Sequence, residues 1–300
     1  MHEIRTVAFV GLGVMGGPMA GHLARAGYEV TGYNRTEARA AAWQAKLAAE
    51  GLSVATAATP AAAAEGKDIV LTCVGNDDDL HQVLMGPDGI LPAMSEGALL
   101  VDHTTVSAGL ARRIATEAAG RGIAAVDAPV SGGQAGAENG KLAIMCGGDA
   151  AAVERARPVM EAFAARIVHV GAAGAGQTTK MANQMCIAGT LAGLAEAVRL
   201  AQASGLELER VYEAISGGAA QSWQMDNRWS TMARGEFDFG FAIDWMRKDL
   251  GYALDEARKL GLSAPVTALV DQFYADVQAL GGARQDTSAL IRRLPQAKET

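Results

Sequence analysis

The chain has 300 residues, half of them hydrophobic, a fifth charged and only 5% aromatic, with a formal net charge of −7. That length exceeds what one core normally takes, so two domains are expected, and the apolar fraction excludes intrinsic disorder. Lysines and arginines are scattered under a negative balance, which argues against a nucleic-acid partner and leaves any anionic ligand to be met by local groups.

Cys73, Cys146 and Cys186 are odd in number, far apart and without metal-ligand spacing, so they read as reduced, buried thiols. The histidines are equally isolated, and no metal is expected. The longest apolar run, Met185–Ala188 followed by Leu191–Ala195, falls well short of the roughly 20 residues that cross a bilayer. Phe9-Val10 leads straight into a glycine loop rather than a cleavable leader, and the expectation is a cytoplasmic protein with no membrane partner.

Taken in chain order, strands are predicted at Thr6–Val10, Glu29–Tyr33, Asp68–Val74, Ala98–Asp102 and Ala124–Asp127. Helices fall between them at Pro18–Ala26, Glu37–Glu50, Asp77–Leu84 and Ser107–Ala119, the rhythm of βαβ units around a parallel sheet. Leu142–Cys146 and Ile167–Val170 flank a helical stretch at Ala150–Phe163 and extend that sheet. After Gly171 the pattern is helical to the end, so the expected fold is an α/β Rossmann-type doubly wound domain (1–171) followed by an all-α domain (172–300). The second domain opens on a long helix from Gln177 to about Ser204, roughly 40 Å at 1.5 Å per residue. It is apolar or small around most of its circumference, which suggests burial by a partner copy as well as by its own domain, in a homodimer or homotetramer.

The strand Val7-Ala8-Phe9-Val10 feeds Gly11-Leu12-Gly13-Val14-Met15-Gly16, a G-x-G-x-x-G spacing in the strand–turn–helix context that dinucleotide binding requires. Gly11 permits the tight turn, Gly13 lets backbone approach a pyrophosphate, and Gly16 lets helix and strand pack closely. At the end of the second strand, where an NAD enzyme carries an acid for the ribose 2′-hydroxyl, the chain reads Asn34-Arg35-Thr36. A neutral amide, a guanidinium and a hydroxyl suit a 2′-phosphate, so NADP(H) is preferred and NAD(H) possible; a solvated Arg35 contacting nothing is the alternative. Later strand ends line the same crevice, which nominates Val74, Gly75 and Thr104, with Asn76 either contacting the cofactor or capping the next helix.

Two further segments are glycine-rich where no hairpin is expected: Asp127-Ala-Pro-Val-Ser131-Gly132-Gly133, and Gly174-Ala-Gly176-Gln-Thr-Thr-Lys180-Met-Ala-Asn183-Gln184. With the opening glycine loop and Trp245-Met-Arg-Lys248-Asp249-Leu250, they resemble the β-hydroxyacid dehydrogenases over nearly the whole chain. That family includes 3-hydroxyisobutyrate dehydrogenases, tartronate semialdehyde reductases and glyoxylate or succinic semialdehyde reductases. The resemblance implies that Lys180 is the general acid/base and that Lys248 is the family's second lysine, near the nicotinamide. Physically, alcohol oxidation needs a base for the hydroxyl proton and carbonyl reduction needs an acid beside the alkoxide; one lysine at a helix start, its pKa biased downward there, can be both. Asn183, three residues on, can hydrogen-bond the substrate or orient the lysine. Ser131, Gly132 and Gly133 offer a hydroxyl and backbone N–H groups to a small carboxylate substrate, or form a plain turn.

Gly75 stands where many members have proline and Gln184 where many have a second asparagine, which blurs the subfamily. The segment from Gly217 to Met225, with Phe237, Phe239 and Phe241, either shapes the substrate pocket or is core. Asp244, Arg247 and Asp249 read as helix surface or structural ion pairs. There is no G-x-S-x-G elbow for a hydrolase, and imine reductases replace the lysine. A non-catalytic NADPH-binding sensor or scaffold is the alternative of another class, because fold alone does not establish turnover.

Overall fold

The structure, a computed structural model, describes residues 4–295. The chain divides between Lys180 and Met181 into two compact units.

The first unit begins with β1 (Thr6–Val10), α1 (Gly16–Arg25), β2 (Glu29–Tyr33), α2 (Glu37–Ala49), β3 (Ala55–Thr56) and α3 (Pro60–Ala64). It continues with β4 (Ile69–Thr72), α4 (Asp77–Met85), α5 (Ile90–Ala93), β5 (Leu99–Asp102), α6 (Ala108–Ala119) and β6 (Ala124–Asp127). β7 (Val130–Ser131), α7 (Gly133–Glu138), β8 (Leu142–Gly148), α8 (Ala150–Met160) and β9 (Ala164–Gly171) complete the sheet. β3-β2-β1-β4-β5-β6 are parallel throughout, the dinucleotide-binding order; β8 pairs antiparallel with β6 and, further along the same edge, with β7, and its other edge takes β9 in parallel.

Strand alternation sorts the core into two layers. Val7 and Phe9 join α1, α2 and α8 residues such as Met19, Trp43 and Val153 on one face. Ala8 and Val10 join α3 to α6 residues such as Leu80, Ile90 and Ile114 on the other. Each fully buried Leu, Ile or Phe contributes roughly 1.5–3 kcal/mol. Helix starts are written locally: Ser107 Oγ accepts from Leu110 N, Asp149 Oδ1 from Ala151 N and Ala152 N, and Thr59 precedes Pro60. The two-residue strands β3 and β7 and the short helices α5 and α7 were not predicted. Their conformation comes from neighbours, β3 pairing with β2 and β7 with β8, rather than from their own periodicity.

α9 (Ala175–Ala203) runs from the first unit into the second; its 29 residues span about 43 Å. The second unit continues with α10 (Leu208–Ile215), α11 (Trp223–Arg234), α12 (Ile243–Lys259) and α13 (Pro265–Ala279), then a 3-10 turn at Thr287–Arg293. Its core gathers Leu191, Leu194 and Val198 of α9, Trp229 of α11, Met246 and Leu250 of α12, and Tyr274 of α13. α12 buries positions 243, 246, 249, 250, 253, 256 and 257, a helical stripe. Within this unit α9 exposes a second stripe, Ala182, Cys186, Thr190, Gly193 and Leu200. Cys186 therefore corrects the expectation of three buried thiols, since only Cys146 is buried and Cys73 is partly so. Among the described residues no helix is long and apolar enough to cross a membrane.

Candidate active site

The connections reverse direction between β1 and β4, and the loops leaving these strands border the crevice where ligands bind in such sheets. Gly11 has φ +102°, and a Cβ there would lie 2.1 Å from the carbonyl oxygen of Cys73. A Cβ on Gly16 would lie 1.9 Å from Gly11 O and 2.7 Å from Phe9 Cε1, so the loop closes only on hydrogens. α1 starts at Gly16, two residues before the predicted Pro18. A Cβ on Gly13 would meet nothing within 4 Å, and Val14 is 66% exposed, so the loop presents its backbone openly. Leu12 N donates to Asn34 Oδ1 at 3.1 Å and Asn34 Nδ2 to Thr36 O at 3.1 Å. The Asn34 amide is thereby engaged in bracing the glycine loop against the turn after β2, and Thr36 is the N-cap position of α2.

Arg35 does not stand alone. Its Nη1 is 2.8 Å from Asp79 Oδ1 in the first turn of α4, with Arg35 78% and Asp79 27% exposed. The acid that the sequence lacks after β2 arrives from 44 residues downstream. Asn76 caps α4 by accepting from Asp79 N, and Asp77 accepts from Ser107 N and Oγ, so this acidic turn is fixed at both flanks.

The carboxyl ends of β5 and β6 hold a buried network within the first unit. Asp102 Oδ1 accepts from Thr72 Oγ1 at 2.6 Å and Thr104 N at 3.0 Å, and Thr104 Oγ1 accepts from Val74 N. Gln177 in α9 donates to Thr104 O at 2.7 Å and accepts from Val106 N. Asp127 receives Gly174 N at 2.7 Å and Gln177 N at 2.9 Å, one on each oxygen, and so caps α9 from β6. A Cβ on Gly176 would lie 2.4 Å from Met145 O and 2.6 Å from Asp127 O, which explains glycine there.

One turn into α9, Lys180 is 7% exposed and donates from Nζ to Val130 O at 2.8 Å. Ser131 follows immediately, then Gly132 (φ +132°) at the N-cap of α7 and Gly133 (φ +61°) as its first residue, so the N-cap has no side chain to satisfy the first N–H groups. His22 Nε2 lies 3.1 Å from Ala137 O and 3.0 Å from Glu138 O, tying the far end of α7 to α1.

Burial dominates the titration of this end. It raises Asp102 to about 7 against the hydrogen bonds from Thr104 and Thr72, and nearby Asp127 pushes the same way. Asp127 is raised by burial too, while the amides of Gly174 and Gln177 pull it back. His103 is lowered by burial to about 4; its Nδ1 lies 2.7 Å from Ala128 O and therefore carries the hydrogen of a neutral ring.

Asn183 and Lys248 lie in the second unit, where one chain of contacts joins them. Asn183 Nδ2 donates to Gln184 Oε1 at 2.8 Å, Gln184 Nε2 to Asp249 Oδ2 at 2.7 Å, and Lys248 Nζ is 3.2 Å from Asp249 Oδ1. Lys248 also lies 5.6 Å from the Trp245 ring and 5.4 Å from Tyr252. Asp249 is 2% exposed, a buried acceptor rather than helix surface. Arg247 pairs with Asp271, and Gln278 bridges Arg247 and Asp244, a structural cluster. Met225, Trp229 and Phe237 are core, whereas Trp223 and Phe239 flank Arg228, each ring centre 5.0 Å away, and Arg228 pairs with buried Asp286.

Asp79, Asp102, Asp127 and Gln177 were not singled out from the sequence. Asp127 and Gln177 lie inside segments flagged for other residues, so proximity to those motifs was the available signal. Nothing in the linear sequence joins Arg35 to Asp79.

Residues 6–171 match the family described as the NAD binding domain of 6-phosphogluconate dehydrogenase, and residues 174–294 the one described as NAD-binding of NADP-dependent 3-hydroxyisobutyrate dehydrogenase. A Shewanella frigidimarina protein described as an uncharacterized oxidoreductase is 57% identical over 97% of this chain and 99% of its own length. An Arabidopsis thaliana protein, probable 3-hydroxyisobutyrate dehydrogenase-like 1, mitochondrial, is 40% identical over 96% of this chain and 84% of its own. Mycobacterium tuberculosis 3-hydroxyisobutyrate dehydrogenase, solved with L-serine, superposes with a TM-score of 0.86 at 34% identity, covering 97% of this chain and 99% of that one.

Proposed function

Because the chain belongs to the 3-hydroxyisobutyrate dehydrogenase family of NAD(P)-dependent oxidoreductases acting on CH–OH groups, we propose that it interconverts a small β-hydroxy acid of the 3-hydroxyisobutyrate kind with its semialdehyde, using NADP(H) in preference to NAD(H). The observation that carries this reading is Lys180, held by Val130 O at 2.8 Å and followed across that contact by Ser131-Gly132-Gly133. A proton-transfer group and a carboxylate cradle are thus adjacent, which is the arrangement a short acid with a neighbouring carbinol needs.

The glycine loop fits the cofactor: open backbone at Gly13 suits the pyrophosphate, and Arg35 and Thr36 suit a 2′-phosphate, with Val14, Met15, Val74 and Gly75 toward the crevice and Leu12 and Thr104 buried, Thr104 bonded to Val74 N. When bound, the nicotinamide supplies or takes up the hydride. Lys180 gives a proton to the developing alkoxide during reduction and takes the hydroxyl proton during oxidation. An ammonium has three donors, so it can keep Val130 O while reaching the reacting oxygen. The family resemblance gives Asn183 the substrate, for which its Gln184 contact leaves hydrogen-bonding capacity, and gives Lys248 the nicotinamide end of the cofactor.

The second reading, reduction of glyoxylate, succinic semialdehyde or tartronate semialdehyde, shares this machinery and differs only in the pocket. Steady-state rates with methylmalonate semialdehyde and those three carbonyl acids, each with NADPH and NADH, separate the two. The highest kcat/KM is expected for methylmalonate semialdehyde with NADPH; a higher value for glyoxylate, or for NADH, would contradict the substrate or cofactor assignment respectively.

A further inference from the structure

We propose that Asp79 sets the cofactor selectivity of this chain by occupying Arg35, so that the NADP(H) preference is held below what the turn after β2 would otherwise give. The inference rests on the cofactor reading above and adds a residue outside the glycine loop and outside the second strand.

The geometry is specific. Arg35 is the one cation of the Asn34-Arg35-Thr36 turn, and it is 78% exposed, so little besides Asp79 holds it in place. Asp79 is the less mobile partner: it is 27% exposed, its backbone N–H is held by Asn76 Oδ1 at 2.8 Å, and its helix is pinned through Asp77 to Ser107. The guanidinium therefore leans toward a fixed carboxylate. A 2′-phosphate approaching Arg35 must share or displace that contact, and it brings its own negative charge close to Asp79. A 2′-hydroxyl carries no such charge and meets no such penalty. The carboxylate is thus a functional counterpart of the acid that NAD enzymes place after their second strand, supplied here through space from α4.

The experiment is equilibrium binding of NADPH and NADH, followed by cofactor fluorescence, to the full-length native chain and to Asp79→Asn and Asp78→Asn. The ratio of the NADH to the NADPH dissociation constant is expected to rise about three- to tenfold in Asp79→Asn, the range for removing one partly exposed ionic contact and its repulsion. Asp78→Asn, which lies in the same helical turn, is expected to move it less than twofold. In steady state the Asp79 variant lowers the KM for NADPH while kcat is retained, a split that loosening of α4 would not produce. Asp79→Ser keeps a helix-start side chain without the charge and should reproduce the shift if the asparagine variant folds poorly. An unchanged ratio overturns the proposal, and a falling ratio overturns it in favour of Asp79 as a brace that orients Arg35 for the phosphate. Failure of the native chain to bind either dinucleotide overturns the cofactor reading and this inference together, whereas tight binding with an unmoved ratio overturns only the role of Asp79.

Discussion

The two ends of the first unit's crevice are built on opposite principles. At the β1/β4 end the groups are open: backbone over Gly13, an exposed Val14, and an Arg35–Asp79 pair in solvent. At the β5/β6 end they are closed: Asp102, Gln177 and Lys180 are each less than a tenth exposed and joined to Thr72, Thr104 and Val130 by hydrogen bonds. Asp127, also buried, holds the first turn of α9. An ion pair in water is worth about 0–1 kcal/mol, whereas an unsatisfied buried polar group costs about 1–3 kcal/mol. On the proposed reading, the closed end holds the proton-transfer group and the open end adjusts which cofactor is favoured.

The contrast predicts effects that diminish from the closed end to the open one. The largest effect on stability at a fixed pH is at Asp127. Asp127→Ala strands the amides of Gly174 and Gln177 at the start of the lysine helix, and a loss of roughly 2–4 kcal/mol in urea unfolding, with a lower kcat, is expected. Asp127→Asn, able to accept only one of the two amides, should recover part of it; a loss below about 0.5 kcal/mol for the alanine variant would remove the cap from the account.

An intermediate effect is visible only against pH. Between the ordinary 3.8 and about 7 the folded Asp102 holds a proton that the unfolded chain has released, so its contribution to stability falls as pH rises through that window. His103 is the reverse: between about 4 and 6.5 the unfolded chain holds the proton, so its contribution falls as pH drops. The two neighbours oppose each other, and Asp102→Asn exposes the histidine. Its stability should climb relative to the native chain by up to about 1.4 kcal/mol per pH unit from pH 4 to 6.5, measured by urea unfolding. Parallel pH curves for variant and native protein would show that these buried groups do not titrate as their surroundings dictate. The smallest effect belongs to the open end, the several-fold change in cofactor ratio at Asp79.

This division also explains what could be read in the sequence. β1, the glycine loop, β2 and α9 announce themselves through alternation, G-x-G-x-x-G spacing and an unbroken helical run, all of them local signals. The Ser131 and Lys180 segments were legible because glycines sit where no hairpin is needed, and the geometry joins them through Val130 O. The missing pieces are long-range. Asp127 reaches residues 47 and 50 positions away, Gln177 reaches Thr104 across 73, and Arg35 meets Asp79 across 44, none of which leaves a periodic trace. β3 and β7, two residues each, take their pairing from the strands beside them. Cysteine number and spacing, the grounds for expecting Cys186 to be buried, say nothing about helix faces, and it falls on the stripe that α9 leaves exposed.

The most direct test of the central claim is kcat for semialdehyde reduction by Lys180→Ala, measured beside its dissociation constant for NADPH. A proton donor at this position predicts a fall in kcat of about 10²–10⁴ with NADPH affinity kept within about threefold. Unchanged kcat would contradict the assignment of proton transfer to Lys180.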